Sequence, residues 1–459
     1  MARPVKSIHG EWTSRWAFIL AATGSAVGLG NIWKFPYVTG ENGGGAFVLV
    51  YLLCIAAIGI PVMMAEVLIG RRGRQNPINS LKSLAEEEGR SRLWRWLGGM
   101  GVLAGFFILS YYSVIAGQSM AYIPRTLFGV FEGVTPDGAS SIHTALVSDP
   151  ERLLAWHTLF MLITAAVVTR GVQRGLEKSV RVLMPALFIL LVMLVGYAAN
   201  TGEAFTRGVH FLFDADFSKL TANSVLIAMG HAFFTLSLGM GAIMVYGSYL
   251  PRKTSIFKVS VTISIMDTGV ALLAGLAIFP LVFANGMEPG AGPSLIFETL
   301  PIAFGHMPGG EFFGALFFLL LVFAAWSSGI SLVEPIVAWM VENHNLSRRN
   351  ATMLATSVIW LLGLLTVFSF NIGQDWTLFG KTAFGLLDYL TANIMLPLGG
   401  LLIALFAGWM MKKSSTAEEL AIGNGVLYYF WLILIRFVSP VAILIVFANL
   451  TGLLDILNK

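Results

Sequence analysis

Charge is scarce in this chain: Asp, Glu, Lys and Arg together make up only 12% of its 459 residues. Soluble domains carry about 25%, so a charged, water-facing surface cannot cover most of the molecule. Cysteine is scarcer still. Cys54 stands alone, which excludes an internal disulfide and any cysteine-rich metal site. The chain also lacks a His-Glu-x-x-His pair and a Gly-x-Ser-x-Gly elbow, so neither zinc-hydrolase nor serine-hydrolase chemistry is indicated. No small-residue cleavage site precedes the first apolar run, and no cleavable signal peptide is expected. No low-complexity tail and no appended soluble domain is expected from the sequence. The net charge of +4 indicates no nucleic-acid partner, because the distribution of charge along the chain explains it better.

What is present is apolar: 56% of the residues are hydrophobic and the mean hydropathy is +0.77. Both values belong to an integral membrane protein, and its spans are helices because lipid offers the backbone no hydrogen-bond partners. Eleven spans are predicted, beginning near Trp16, Ala46, Leu93, Leu153, Ser179, Val225, Ile256, Phe312, Met353, Leu386 and Val426. Lys34 and Arg436 fall within spans, and six basic residues fall on one side: Arg125, Arg152, Arg207, Lys219, Lys381 and Lys459. The other 21 of the 29 Lys and Arg residues, from Arg3, Lys6 and Arg15 to Lys412 and Lys413, fall on the opposite side. That asymmetry predicts a cytoplasmic N-terminus in the cell's inner (plasma) membrane, and the odd span count puts the C-terminus outside. The segment 290–301 is too short and too rich in Gly and Pro to span, and reads as a re-entrant or capping helix on the outer face.

Two spans are interrupted near their centres, at Gly24-Ser-Ala-Val-Gly-Leu-Gly-Asn31 and at Thr235-Leu-Ser-Leu-Gly-Met-Gly241. A break frees N–H and C=O groups in hydrocarbon at several kcal/mol apiece, which is tolerable where they face a ligand or a wet cavity. Related breaks in two halves of a chain mark a secondary transporter with its site at the membrane midplane. Half-helix ends suit ions: N–H ends take a carboxylate, C=O ends a cation. Around the first break lie the carbonyls of Gly24, Ala26 and Val27 and the amide of Asn31; the second adds Thr235 and Ser237. Gly24-xxx-Gly28 alone reads equally well as a helix-packing motif. Polar oxygens beside both breaks favour a site.

Ionisable groups inside the spans each need a partner or a task, at about 2.5–3.5 kcal/mol of insertion cost. Asp267 lies deep in the seventh span, beside the expected cation site, which favours a functional role. For Glu66 and Glu334, hydrogen bonding to nearby unwound backbone stands beside direct substrate contact. Lys34 and Asp388 both lie toward the outer ends of their spans, as an ion pair would require. Ser327 and Ser328 form a hydroxyl pair in the apolar eighth span. Such serines usually bond back to a carbonyl one turn earlier, and only contact with the first span would give them another role.

The run Gly24-Ser-Ala-Val-Gly-Leu-Gly-Asn-Ile-Trp-Lys-Phe-Pro-Tyr, with Glu41-Asn-Gly-Gly-Gly-Ala-Phe after it, resembles the neurotransmitter:sodium symporter family. The resemblance continues through Tyr111-Tyr112, Phe233 to Gly239, Trp326-Ser-Ser and Asp388-Tyr-Leu, in order and over nearly the whole chain. It implies the leucine-transporter fold, an all-α membrane protein of two inverted five-helix repeats with spans one and six unwound at mid-membrane. The repeats would cover roughly residues 12–200 and 220–411, with the eleventh helix at 424–455. The absence of a twelfth helix resembles bacterial members that carry hydrophobic or aromatic amino acids.

Carried over position by position, the resemblance implies two Na⁺ sites. The first would use the Ala26 carbonyl, Asn31, Thr235, Asp267 and the substrate carboxylate. The second would use the carbonyls of Gly24, Val27 and Ala324 and the hydroxyls of Ser327 and Ser328. The substrate carboxylate would meet the Leu29 and Gly30 amides and the Tyr112 hydroxyl; its amine would meet oxygens at Ala26, Phe234, Thr235 and Ser237. Ile108, Phe234, Met240, Ser328 and Leu332 would line the side-chain pocket. Lys34 and Asp388 would form the outer gate, while Trp12, Tyr249 and Glu342 match inner-gate positions, with His9 where a basic residue is common. Gly175 and Pro185 match the family's Gly-X9-Pro motif, whose span unwinds at its inner end.

Departures from the family pattern are informative. Gly28 replaces the aspartate of monoamine carriers, so the substrate should bring its own carboxylate. Asp267 stands where chloride-dependent members have an asparagine, Ala271 where they have a serine and His231 where they have a glutamine. A fixed carboxylate repels chloride, so no chloride requirement is expected. Lys34 replaces the usual gate arginine and lacks its bidentate fork. The resemblance therefore implies Na⁺-coupled import of a neutral, mainly hydrophobic or aromatic L-amino acid by alternating access, with proton antiport through Asp267, and no enzymatic activity. The alternative is an amino-acid sensor on the same scaffold that binds without turnover.

Overall fold

The computed structural model describes residues 8–453 except 291, 293 and 424. Arg3, Lys6 and Lys459 of the charge pattern, two residues of the 290–301 segment and the expected limits 424 and 455 of the last helix lie outside the described residues. Among the described residues nine helices are long and apolar enough to cross a membrane: Gly45–Gly73, Arg92–Leu127, Pro150–Val168, Val172–Ala199, Ile256–Ala284, Gly310–His344, Arg348–Ser369, Ala383–Met410 and Val426–Leu450. They are spans two to five and seven to eleven. The first span is a bent pair, Arg15–Ala26 and Gly30–Glu41, turning 53° at its break. The sixth is two helices, Ala222–Thr235 and Ala242–Ser248, separated by a non-helical stretch. Among the described residues, nine helices, or ten with the bent pair, are long and apolar enough to span, and the divided helix lies where the sequence predicts the sixth of its eleven spans.

The span ends follow local chemistry. Ser14, Ser255 and Ser347 each accept a backbone N–H of the helix they precede, and Thr221 with Ser224 makes a reciprocal capping box. Outward-facing Leu53, Leu162, Ile189 and Leu361 are exposed, as lipid-facing residues must be. The third and eighth spans pack along much of their length and form the wall behind both breaks. The 290–301 segment holds the start of a short buried helix, Leu295–Gly305, whose Phe297 carbonyl accepts the Tyr122 hydroxyl at 2.9 Å.

One expectation changes. The fifth span starts at Val172, not near Ser179, and its first turn, Val172–Glu177, is a wide π-turn that includes Gly175. The helix then runs unbroken through Pro185. Its N-terminal end is loosened rather than unwound, because the wider turn keeps the backbone hydrogen-bonded.

Close approach between the second span and the C-terminal half of the sixth, Ala242–Ser248, needs a residue without a side chain. A Cβ on Gly70 would stand 1.9 Å from the Met244 carbonyl oxygen. Gly70→Ala is expected to cost about 1–3 kcal/mol by overpacking. It should lower the melting temperature in detergent; an unchanged melt would mean that the two helices separate freely.

Candidate functional site

Both breaks are real interruptions and they meet. The first helix ends at Ala26, and Val27 turns extended at φ −67°, ψ 108°. Winding resumes as a wide turn, Gly30–Lys34. In the sixth span Ser237, Gly239 and Gly241 all take positive φ, at 54°, 84° and 75°. Gly239 is required on two counts: its φ, and a Leu396 carbonyl oxygen 2.6 Å from where a Cβ would stand. The Ser237 hydroxyl donates to the Ser25 carbonyl at 2.8 Å and ties one break to the other. The freed Gly239 N–H donates to the Glu66 carboxylate at 2.6 Å. Glu66 therefore supports unwound backbone, the first of its two readings.

Two oxygen-rich clusters flank the junction. In one, Asn31 Nδ2 donates to Asp267 Oδ1 at 2.8 Å and to Thr235 Oγ1 at 3.0 Å, and Thr235 Oγ1 donates to Asp267 Oδ2 at 3.0 Å. All three side chains are buried. The Asn31 oxygen accepts the Gly28 N–H at 3.1 Å. In the other, Ser328 Oγ lies 3.4, 3.2 and 3.1 Å from the carbonyl oxygens of Gly24, Ser25 and Val27. Broken winding leaves those carbonyls without helical donors, so they converge on the one hydroxyl offered. Ser327 does what such serines usually do and bonds back to Phe323 and Ala324 at 3.1 and 3.0 Å. The pair thus divides: one hydroxyl serves its own helix, the other crosses to the first span. Neutral oxygens in one cluster, and neutral oxygens with a single carboxylate in the other, suit a hard monovalent cation better than a soft metal.

A cavity of about 340 Å³ opens between these clusters. All eleven residues expected at the substrate site line it: Ala26, Leu29, Gly30, Ile108, Tyr112, Phe234, Thr235, Ser237, Met240, Ser328 and Leu332. The Tyr112 hydroxyl accepts the Leu29 N–H at 3.3 Å. At Gly28 a Cβ would lie 2.8 Å from the Ser328 hydroxyl and 3.0 Å from that of Tyr112, so any side chain there would fill the junction. Walls of isoleucine, leucine, methionine and aromatic rings with a few convergent polar groups are the usual make-up of a small-molecule pocket.

Lys34 and Asp388 line the same cavity, but among the described residues no ion pair joins them. Lys34 Nζ stands over the Phe234 ring instead, 4.6 Å from its centre, and the neighbouring Tyr111 hydroxyl bonds Thr391 at 3.1 Å. The opposite face, which carries the N-terminal residues, is closed. There the Trp12 N–H and indole donate to the Tyr249 and Tyr246 carbonyls, both at 3.0 Å, and His9 meets Glu342 at 3.0 Å. Glu342 also accepts the Asn76 N–H at 2.8 Å. Glu334 contacts neither cavity nor unwound backbone: it accepts from the Tyr249 hydroxyl at 2.8 Å and is clamped by Arg348. Arg348 follows Glu334 on the next span, where a sequence pattern gives no sign of the pairing.

Several wall residues escaped sequence reasoning. Ser25, Trp33, Tyr37, Phe384 and Ala392 also line the cavity. Ser25 had a signal, a hydroxyl inside the break; its Oγ bonds Ser331 at 2.8 Å. Phe384 and Ala392 had none, being ordinary apolar residues of the tenth span.

Comparison with known proteins agrees with this geometry. The sequence matches the sodium:neurotransmitter symporter family over residues 9–131 and 141–454. It is 40% identical over 448 residues to YhdH, a sodium-dependent transporter of Bacillus subtilis, covering 97% of this chain and 98% of that one. It is 31% identical over 458 residues to the sodium-dependent transporter MJ1319 of Methanocaldococcus jannaschii, covering 94% and 88% of the two chains. Its structure resembles the crystal structure of MhsT in complex with L-phenylalanine, with a TM-score of 0.87, 42% identity and coverage of 96% and 99%.

Proposed function

The chain belongs to the sodium:neurotransmitter symporter family, a family of transporters rather than enzymes, and from that premise we propose that it imports neutral, mainly hydrophobic or aromatic L-amino acids together with Na⁺ by alternating access. The observation that carries the proposal is the junction of the two unwound stretches at Ser25 and Ser237, with an apolar cavity on one side and oxygen clusters around it. The similar MhsT structure contains L-phenylalanine, which supports the substrate class.

In this reading the Leu29 and Gly30 amides, at the start of a resumed helix, take the substrate carboxylate with the Tyr112 hydroxyl. The carbonyls of Ala26, Phe234 and Thr235 and the oxygens of Ser237 take its amine. Gly28 offers no carboxylate, so an amino acid fits and a monoamine leaves the cation site short of a charge. Asn31, Thr235, Asp267 and the Ala26 carbonyl hold one Na⁺, with Asn31 turning its oxygen toward the ion. Ser327, Ser328 and the carbonyls of Gly24, Val27 and Ala324 hold a second. Ile108, Met240 and Leu332 select apolar side chains. Lys34 and Asp388 close the outer side once substrate draws Phe234 inward, and release of Trp12, Tyr249 and Glu342 opens the inner side. The same reading places the N-terminus in the cytoplasm and divides the repeats at 12–200 and 220–411, with the last helix at 424–455.

Two Na⁺ moving inward with a zwitterion carry two charges, each gaining about 2.3 kcal/mol per 100 mV. Electrical drive alone then supports about a thousandfold accumulation. Asp267 replaces chloride as the fixed negative charge, and its protonation on the return step exports a proton, which lowers the net charge moved per cycle from two to one and the electrical drive with it. In proteoliposomes, uptake of labelled phenylalanine is expected with sodium gluconate outside as well as with sodium chloride, and not with choline chloride. Equal uptake in choline would remove sodium coupling; a need for chloride would remove the role given to Asp267.

A further inference from the structure

Away from the transport pathway, a groove of about 410 Å³ runs between the fourth and ninth spans. Its two walls are helical stripes that run antiparallel. Thr158, Leu162, Ala166 and Thr169 follow one another at helical spacing on the fourth span, facing Trp360, Ser357, Met353 and Arg349 on the ninth. The Trp360 indole donates to Thr158 Oγ1 at 2.8 Å and seals one end. Below that seal the short side chains of Ala166 and Ser357 leave the space, while Leu162 and Met353 stand exposed on either side. The other end opens at Thr169 and Arg349, at the N-terminal face.

Length identifies what fits. Each stripe covers eleven steps of 1.5 Å, about 16 Å, and one leaflet contributes about half of a 30 Å hydrocarbon core. The groove therefore reaches from headgroup level to the bilayer midplane and no further, the run of one lipid tail.

Charge at the mouth identifies which lipid. Arg349 lies in the first turn of its helix, where the helix dipole repels a cation. Arg348 beside it is committed to Glu334. Neither Arg349 nor Arg170, which follows Thr169, has a carboxylate partner among the described residues, and both are exposed. Arg349 on the wall of the slot, with Arg170 next along the chain from the lining Thr169, supplies unpaired positive charge that complements a phosphate carrying a tail.

We propose that this groove binds one anionic phospholipid of the leaflet on the N-terminal face, with an acyl chain between the fourth and ninth spans and the phosphate on Arg349 and Arg170. The test is native mass spectrometry of the delipidated full-length protein, re-exposed to equimolar phosphatidylglycerol and phosphatidylcholine. Wild type is expected to retain phosphatidylglycerol about fivefold or more over phosphatidylcholine, and R349Q to lower that preference about fivefold, the share of one basic side chain. S357F, which fills the slot, should reduce adducts of both lipids, while K258Q, on a different span, should change neither. Glycerol phosphate, with no tail, should not displace the bound lipid. Equal retention of the two lipids, an unchanged preference in R349Q, full retention in S357F, displacement by glycerol phosphate, or a second copy of the chain in place of lipid would each overturn the proposal.

Discussion

Replacing Arg348 with methionine is expected to unlatch the closed N-terminal face and abolish most uptake. Glu334 is fully buried, and its carboxylate has two supports: the Arg348 guanidinium and the Tyr249 hydroxyl. Arg348 further donates from Nε to the Val168 carbonyl at 2.8 Å, so one side chain joins the fourth, eighth and ninth spans. Removing one partner of a buried pair leaves an uncompensated charge and costs about 3–5 kcal/mol. The cheapest relief is to admit water from the nearby aqueous face. That route loosens Tyr249, and with it the Trp12 indole and backbone bonds to the same short helix end. A carrier whose N-terminal face no longer closes cannot alternate. The measurement is paired: melting temperature in detergent and phenylalanine uptake in proteoliposomes, for Arg348→Met, Glu334→Met and both together. Each single variant should melt lower and lose uptake by more than tenfold. The double variant, with no charge left to bury, should recover most of the melting temperature but not uptake, since the Tyr249 hydroxyl has lost its acceptor. A double variant no more stable than the singles would show that the pair is not the unit holding this face.

The second large effect is expected at Asp267. Its carboxylate accepts hydrogen bonds from Asn31 and Thr235 inside a buried cluster. Hydrogen bonds to charged groups contribute about 1.5–3 kcal/mol each, and the proposed Na⁺ beside them would lose its only fixed negative charge. Asp267→Ala should therefore raise the Na⁺ concentration needed for half-maximal uptake by about 100-fold or more. Asp267→Asn keeps an acceptor oxygen but not the charge, so it should fall between wild type and alanine. It should also flatten the dependence of uptake on internal pH, because an amide cannot take up the returning proton. Wild-type sodium dependence in Asp267→Ala would remove this residue from the ion site, and an unaltered pH response in Asp267→Asn would remove the antiport.

Much of the site was legible because its chemistry is carried by short-range sequence features. Glycines in an apolar run, hydroxyls beside them and a carboxylate in hydrocarbon each violate a local rule, and Ser237, Gly239, Ser328, Thr235 and Asp267 lie at or beside the junction of the breaks, whereas Ser327 and Glu334 serve helix contacts instead. The wall residues Phe384 and Ala392 were not legible, because nothing separates them from any other lipid-facing or core residue of the tenth span. Glu334 was misread for a related reason. A buried glutamate signals that it needs partners, but Arg348 becomes one only after the chain turns at Asn345, in left-handed conformation, and returns.

Taken alone, the order of residues determined the membrane, the number of spans and where two of them come unwound. Those properties depend on hydropathy and backbone propensity within windows of some twenty residues. Tertiary packing decided everything that depends on distance between windows: which hydroxyl of Ser327 and Ser328 crosses to the first span, where Lys34 rests and what holds Glu334. A hydrogen bond acts over about 3 Å, and these partners stand on different helices, from 14 residues apart for Glu334 and Arg348 to 301 for Ser328 and Val27, so only the folded helices bring them together.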